Sequence, residues 1–283
     1  MPADNSEQIA QWNGDLGERW AAMQREIDRI VVPFGEAALA AAAPRPGERV
    51  IDVGCGCGDT SIEIARSVGE TGRVLGVDVS QPMLEVARAR AVSINRANVS
   101  FENADASVAA LPSEMDLLFS RFGVMFFSQP SNAFRHLRKS LRTGGRCVFV
   151  CWRAPRDNPW AMAPLSAART AMGVTPAPSD PYAPGPFAFA EAERLHSILS
   201  EAGFDAIRMQ RLDVPLSLGT TARSAAEFAL QIGPVSRFAR ESGVEHLPTI
   251  LDAVERAFAP LAAAEGQVRL NGSTWIVSAT NPG

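Results

Sequence analysis

The chain has 283 residues, of which 46% are hydrophobic and 20% are charged, and its formal net charge is −4. A chain of this length can bury a sizeable core, and its composition is that of an ordinary folded protein. The small negative charge provides no broad basic surface, so neither nucleic acid nor an anionic membrane is expected as a partner.

The first predicted region is a helical lead-in over residues 6–43, broken at Asn13-Gly14 and at Pro33. Its opening letters, MPADNSEQ, contain neither the basic nor the apolar region of a signal peptide. No apolar run in the sequence is long enough to span a bilayer. Four cysteines in a chain this long do not indicate a disulfide framework. We therefore expect a cytoplasmic location.

A glycine loop follows the first predicted strand, residues 49–53. In VIDVGCGCGDT, residues 50–60, every second residue from Gly54 to Gly58 is glycine. Glycine allows a tight turn and lets a ligand approach where a Cβ would block it. The helix predicted over 59–68 adds free N–H groups beside the turn. A dinucleotide motif, G-x-G-x-x-G, would require glycine where this sequence has Asp59.

Two further predicted strands end in acidic residues. The run over residues 73–80 ends in Asp78, whose carboxylate can accept hydrogen bonds from both hydroxyls of a ribose. The run over residues 98–106 ends in Asp105. Between them, a serine before a proline in the first turn predicts a helix over 80–96.

The rest of the chain continues the alternation of strands and helices that is typical of a parallel sheet. The further predicted strands cover residues 141–152, 205–214 and 267–279, and the further predicted helices cover 129–142, 158–172 and 189–202. A proline-rich loop spans residues 175–186. The segment 222–264 is too long for a simple hairpin and predicts an inserted helical segment.

The cysteines form two close pairs, Cys55 with Cys57 and Cys147 with Cys151. Zinc sites space paired cysteines as C-x₂₋₄-C in loops or knuckles. A C-x-C inside a glycine loop and two thiols within one strand fit that geometry poorly. We expect no metal site, with Cys147 and Cys151 as small core residues.

The order of these motifs resembles that of the class I S-adenosylmethionine (SAM)-dependent methyltransferases. The glycine loop with Asp52 resembles their D-x-G-x-G-x-G motif, and matches continue over roughly residues 45 to 153, closest to the ubiquinone/menaquinone C-methyltransferase-like branch. The resemblance implies an α/β Rossmann-like sheet of seven mostly parallel strands in the order 3-2-1-4-5-7-6, with helices on both faces and the seventh strand antiparallel.

The same resemblance implies a single methyltransferase domain over residues 1–283. Residues 1–43 would form a helical N-terminal flap and residues 44–153 the SAM-binding core. Residues 154–186 and 222–264 would form substrate-lid segments, which we expect to roof an apolar cavity above the glycine loop.

SAM is the implied cofactor, and a set of side chains along the motifs would bind it. These are Trp12, Trp20, Asp52, Gly54, Cys55, Gly56, Asp78, Val79, Met83, Asp105, Ala106, Ser120, Arg121 and Phe122. A tryptophan face attracts a sulfonium cation, although simple packing would also explain Trp12 and Trp20. Arg121 could pair with an acid of a ligand or form a buried ion pair within the fold.

A small organic molecule is the implied substrate, with Phe126, Trp152, Arg153 and Trp160 as candidate contacts. Methyl transfer requires mainly alignment and a water-poor site, and a base only when the acceptor must lose a proton. His246 and Arg121 are the candidate catalytic residues. The acceptor atom (O, N or C) stays open, as does the choice between monomer and homodimer. A dinucleotide-dependent oxidoreductase and a non-catalytic SAM-binding protein are the alternative functions.

Overall fold

The structure, a computed structural model, describes residues 5–176, 180–263 and 266–283. The chain divides into two compact units. The first comprises the described parts of Met1–Trp152, Tyr182–Leu212 and Thr274–Gly283. The second comprises those of Arg153–Pro181 and Asp213–Ser273. The single domain expected over residues 1–283 stays a prediction beside this division.

Seven strands and eleven α-helices lie along the described residues of the chain. The strands are β1 (Arg49–Val53), β2 (Arg73–Asp78), β3 (Val99–Asn103), β4 (Met115–Arg121), β5 (Leu141–Trp152), β6 (Asp205–Gly219) and β7 (Val268–Thr280). The helices are α1 (Ser6–Asn13), α2 (Asp15–Ala22), α3 (Gln24–Ala42), α4 (Asp59–Val68), α5 (Gln81–Ser93), α6 (Pro130–Arg138), α7 (Pro159–Ala171), α8 (Ala192–Glu201), α9 (Ala222–Ala229), α10 (Gly233–Ser242) and α11 (Leu247–Phe258). Among the helices described, none combines the length and the apolar character that a bilayer crossing requires.

The sheet has the order β3-β2-β1-β4-β5-β7-β6, which confirms the predicted topology. β1 pairs in parallel with β2 and with β4, and β4 pairs in parallel with β5. β7 runs antiparallel to β5, as expected. The carboxyl ends of the parallel strands therefore meet at one edge of the sheet, where ligands bind in open α/β folds.

The lead-in breaks where the sequence predicts at Gly14, but the predicted break at Pro33 is wrong. Pro33 lies inside α3, and the second break falls at Met23, between α2 and α3. Burial of Ile27, Ile30 and Phe34 on one face fixes α3 against the sheet. This packing outweighs the missing backbone donor and the ring of one proline.

The predicted helix over 129–142 is too long at its end. α6 stops at Arg138, and Leu141 already belongs to β5, where it pairs with Met115 of β4. Pairing with a neighbouring strand, which sequence periodicity along one segment does not report, sets this boundary.

The second unit contains the helices predicted for the two lid segments. α7 packs against α10 and α11, and α9 also packs against α11. Trp160 lines a small apolar cavity with Phe228 and Val235, which has room for about one water molecule. Residues 177–179 of the predicted proline-rich loop and residue 264 of the predicted insert lie outside the described residues.

Candidate cofactor site

The glycine loop connects β1 to α4, and its glycines serve two different purposes. Gly54 has φ +68°, and a Cβ there would lie 2.6 Å from the Cα of Gly123. The nearest atom to a Cβ on Gly56 (φ +54°) would be the Met83 sulfur at 3.8 Å. Gly54 is therefore required for packing of the protein against itself, whereas Gly56 leaves room for a ligand.

Asp78 joins the end of β2 to this loop. The Gly56 N–H donates to Asp78 Oδ2 at 2.8 Å, and the Ser80 N–H donates to Oδ1 at 2.8 Å. Burial raises the pKa of Asp78, while the hydrogen bonds from Ser80, Gly56 and Val79 act to lower it. Each carboxylate oxygen has a second lone pair that remains available to a hydroxyl donor.

Asp52 lies behind the loop, fully buried in β1. The hydroxyls of Thr60 and Ser61 donate to its Oδ2 at 2.7 and 2.6 Å. Oδ1 has no partner among the residues that the structure describes. Burial raises the pKa of Asp52 to about 6, against the lowering effect of the two hydroxyls. Asp52 thus fixes the start of α4 beneath the loop.

The backbone N–H and carbonyl of Cys55 both form hydrogen bonds within the protein. Its N–H donates to the Val77 carbonyl at 3.2 Å, and its carbonyl accepts from Gly58 at 2.9 Å. Its side chain is buried, as are those of Cys147 and Cys151. Burial raises the pKa of Cys147 to about 12, so that thiol stays protonated. Among the described residues, no group of three metal-ligating side chains comes together.

Arg121, predicted as a ligand contact or a buried ion pair, forms ion pairs with two aspartates. Its guanidinium lies 3.0 Å from Asp28 Oδ1 and 2.9 Å from Asp59 Oδ2. Arg90 bridges the other oxygens of the same aspartates at 3.1 and 3.0 Å, and donates to the Cys57 carbonyl. The closed ring of four charges therefore ties α3, α4, α5 and the end of β4 to the glycine loop.

The end of β4 carries backbone strain. Phe122 has φ +61°, a left-handed conformation that is rare for a bulky residue and marks functional or strained positions. Its ring stacks on Trp152 at a centroid distance of 4.4 Å, and both rings contact Phe34 of α3. Beside it, the Ser120 hydroxyl accepts a hydrogen bond from Gly123.

A second aromatic cluster joins the lead-in to the segment after β4. Trp12 packs edge-to-face against Trp20 at 5.5 Å and against Phe126 at 5.3 Å. The Asn13 side chain donates to the Val79 carbonyl and accepts from the Gln81 N–H. The lead-in therefore lies along the carboxyl ends of β2 and β4.

Asp105 follows β3 and is held by a residue that sequence reasoning missed. Asn5 Nδ2 donates to both carboxylate oxygens of Asp105 at 3.0 Å. Ala106, next to it, is buried. The local sequence presents Asn5 only as a helix-capping residue, so nothing near it signals a partner one hundred positions away.

The other predicted contacts belong to the second unit. Arg153 pairs with Asp157 and Asp213, and Trp160 donates its Nε1–H to Asn158. His246 lies beside Glu245, with 43% of its side chain exposed. Their roles toward a ligand stay predictions.

Three comparisons agree with this architecture. The profile of a family described as "Methyltransferase domain" matches residues 50–145. The ubiquinone/menaquinone biosynthesis C-methyltransferase of Azotobacter vinelandii is 34% identical over 115 residues, which are 40% of this chain and 46% of that protein. The aklanonic acid methyltransferase of Streptomyces sp. strain C5 is 33% identical over 119 residues, 42% of this chain and 54% of that protein. The chain spans about half the length of these curated relatives.

A solved structure extends the likeness beyond the matched segment. The YcgJ protein from Bacillus subtilis superposes with a TM-score of 0.58 at 19% identity, covering 88% of this chain and 98% of that one. At this identity the likeness establishes the Rossmann-like class I fold alone. Residues 50–145 thus match a methyltransferase domain, and about 40% of the chain is similar to a ubiquinone/menaquinone C-methyltransferase.

Proposed function

We propose that this protein is a cytoplasmic SAM-dependent methyltransferase that methylates a small organic molecule, acting as a monomer or homodimer without nucleic acid. The observation that carries the proposal is the Asp78–Gly56 pair, in which a buried carboxylate accepts from the one glycine of the loop whose missing side chain leaves open space. A nucleoside with ribose hydroxyls matches both features.

The side chains around this pair would contact SAM along its length. Asp78 would accept from the ribose, and Asp105 with Ala106 would meet the base. The loop from Gly54 to Gly56 would pass beneath the amino acid end, with Met83 beside it. When bound, SAM supplies an electrophilic methyl group on a cationic sulfur.

The aromatic residues of the lead-in would attract the positively charged sulfur of SAM. Trp12 and Trp20 each present a ring whose face attracts positive charge. The packing of Trp12 against Trp20 and Phe126 would help to shield the ends of β2 and β4 from water. A site from which water is excluded strengthens each charged interaction within it.

Substrate selection would lie outside the matched core. The predicted lids, 154–186 and 222–264, depart from the methyltransferase template and carry Arg153, Trp160 and His246. His246 would remove a proton where the acceptor requires it. Of the other histidines, the ring of His136 already bonds the Ala109 carbonyl through Nε2. Phe122 and Trp152 would form an aromatic wall at the end of β4.

Calorimetry tests the cofactor assignment. SAM and S-adenosylhomocysteine should bind, whereas NAD should not. Asp78→Ala should weaken SAM binding by about 1.5–3 kcal/mol because charged hydrogen bonds to the ribose are lost. Unchanged affinity in this variant, or preferential binding of NAD, would contradict the proposal.

Turnover separates an enzyme from a non-catalytic binder. The protein should transfer labelled methyl from SAM to at least one member of a panel of phenols, amines, aromatic carbon nucleophiles and aklanonic acid. Binding of SAM without transfer to any acceptor would favour the non-catalytic alternative.

A further inference from the structure

Asn5 occupies the position at which a helix is normally capped, yet its side chain makes no capping hydrogen bond to α1. Asparagine is favoured there because its oxygen accepts from the first free N–H groups of the helix. Here the side chain is nine-tenths buried and directed away from its own helix. Its polar atoms are committed to other parts of the molecule.

Those atoms connect two loops at the carboxyl edge of the sheet. Nδ2 donates to Asp105 Oδ1, Asp105 Oδ2 and Ser107 Oγ, each at 3.0 Å. Oδ1 accepts from the Ser128 N–H at 2.9 Å and the Ser128 hydroxyl at 2.7 Å. One side chain thus joins the loop after β3 to the segment after β4.

The Asp105 carboxylate keeps acceptor capacity in this arrangement. Oδ1 accepts from Asn5 and from the Ser107 N–H at 2.9 Å. Within the part of the chain that the structure describes, Oδ2 accepts from Asn5 alone. A carboxylate oxygen accommodates about two donors, so Oδ2 has room for one more from a ligand.

We propose that Asn5 is a positioning residue that sets the Asp105 carboxylate to prefer a ligand whose base carries an amino group. The inference rests on the proposed SAM-binding function. A carboxylate held in one orientation binds more tightly a ligand that places a hydrogen-bond donor at its free lone pair. It repels a ligand that places an oxygen there. A carboxylate released from Asn5 rotates away from such an oxygen and discriminates less.

The test compares S-adenosylhomocysteine with S-inosylhomocysteine, in which an oxygen replaces the amino group. The wild-type protein should prefer the adenosyl ligand. Asn5→Ala should bind it about tenfold more weakly, as expected for loss of support to a charged hydrogen bond. The ratio of the affinities for the two ligands should also decrease. Asn5→Asp, which places a second carboxylate next to that of Asp105, should lose more affinity.

Asn98→Ala is the matched control at the opposite end of β3. Asn98 is also buried, and its side chain donates to the carbonyls of Ala65 and Gly69 at 2.8 Å. This variant should lower the melting temperature and leave the ligand ratio unchanged. A merely structural role for Asn5 would behave in the same way.

The outcomes separate the two proposals. Wild-type affinity and an unchanged ligand ratio in Asn5→Ala would overturn the role of Asn5 while leaving SAM binding intact. Failure of the wild-type protein to bind S-adenosylhomocysteine would reject the proposed function itself. Circular dichroism of each variant, with Asn5→Gln as a milder second substitution, verifies that it is folded before binding is measured.

Discussion

The helices α1 and α3 are close in sequence but are attached to the molecule in different ways. α3 buries Ile27, Ile30, Phe34 and Ala38 against the sheet, whereas α1 buries none of its residues and α2 buries only Gly17. Apolar burial holds α3, while side-chain hydrogen bonds and half-buried rings hold α1 and α2. The difference suggests a lead-in whose first part can separate from a core that its last part helps to build.

The largest effect should come from removing a core ring of α3. Phe34→Ala should lower the free energy of unfolding by about 3–5 kcal/mol, because it opens a cavity beneath Phe122 and Trp152. Trp20→Ala in α2 should cost only about 1 kcal/mol, since it removes one edge-to-face contact. Urea unfolding measures both. Equal losses would abolish the distinction between the two helices.

The free energy of unfolding should also depend on pH, through the core residue Asp52. Its pKa is about 6 in the folded protein and 3.8 as its ordinary value. The folded state therefore binds this proton more tightly than the unfolded state does. The contribution of protonated Asp52 to stability is complete below about pH 4 and is lost as the pH rises through about 6. The side-chain amides of Asn5 and Asn13, which attach α1, do not titrate in this range.

Asp52→Asn checks this expectation. Asparagine keeps one oxygen for Thr60 and Ser61 and removes the titration. Unfolding free energies at about pH 4, 5, 6 and 7 should fall more steeply in the wild-type protein than in the variant. Parallel curves would mean that Asp52 does not change its protonation on folding.

A substitution in α2 should separate the lead-in from the core. Alanine normally stabilises a helix by about 0.8–1 kcal/mol relative to glycine. At Gly17, however, a Cβ would lie 1.9 Å from the Trp12 carbonyl oxygen and 2.6 Å from Ser80 Oγ. Gly17→Ala should therefore displace α1 and α2 from α5 and weaken SAM binding by about tenfold or more, because the site opens to water.

Gly14→Ala provides the control within the same lead-in. Its Cβ would come no closer than 3.4 Å to a backbone oxygen, so affinity should not change. Hydrogen exchange supplies the second readout. In the wild-type protein SAM should protect residues 6–22, and in Gly17→Ala it should not. Protection of these residues that is identical with and without SAM would refute the flap.

The contrast between α1 and α3 also shows which structural features could be predicted from the sequence. The bounds of β1 and α4 follow from local periodicity and the glycine loop, the strand order follows from the family resemblance, and the structure confirms both. The continuation of α3 through Pro33 could not be foreseen, because it depends on burial against distant strands. The Asn5–Asp105 contact and the pairing of Arg121 with Asp28 join residues far apart, and neither leaves a pattern within a local window.

The smallest effect should come from the outermost ring of the lead-in. Trp12→Leu keeps an apolar side chain against Trp20 and Phe126 but removes the ring face. If Trp12 attracts the sulfonium, this variant should bind SAM about two- to fivefold more weakly, as expected for a partly exposed cation–π contact. Binding of S-adenosylhomocysteine, whose sulfur is neutral, should change less. Calorimetry with both ligands gives the ratio, and an equal loss for both would assign Trp12 to packing alone.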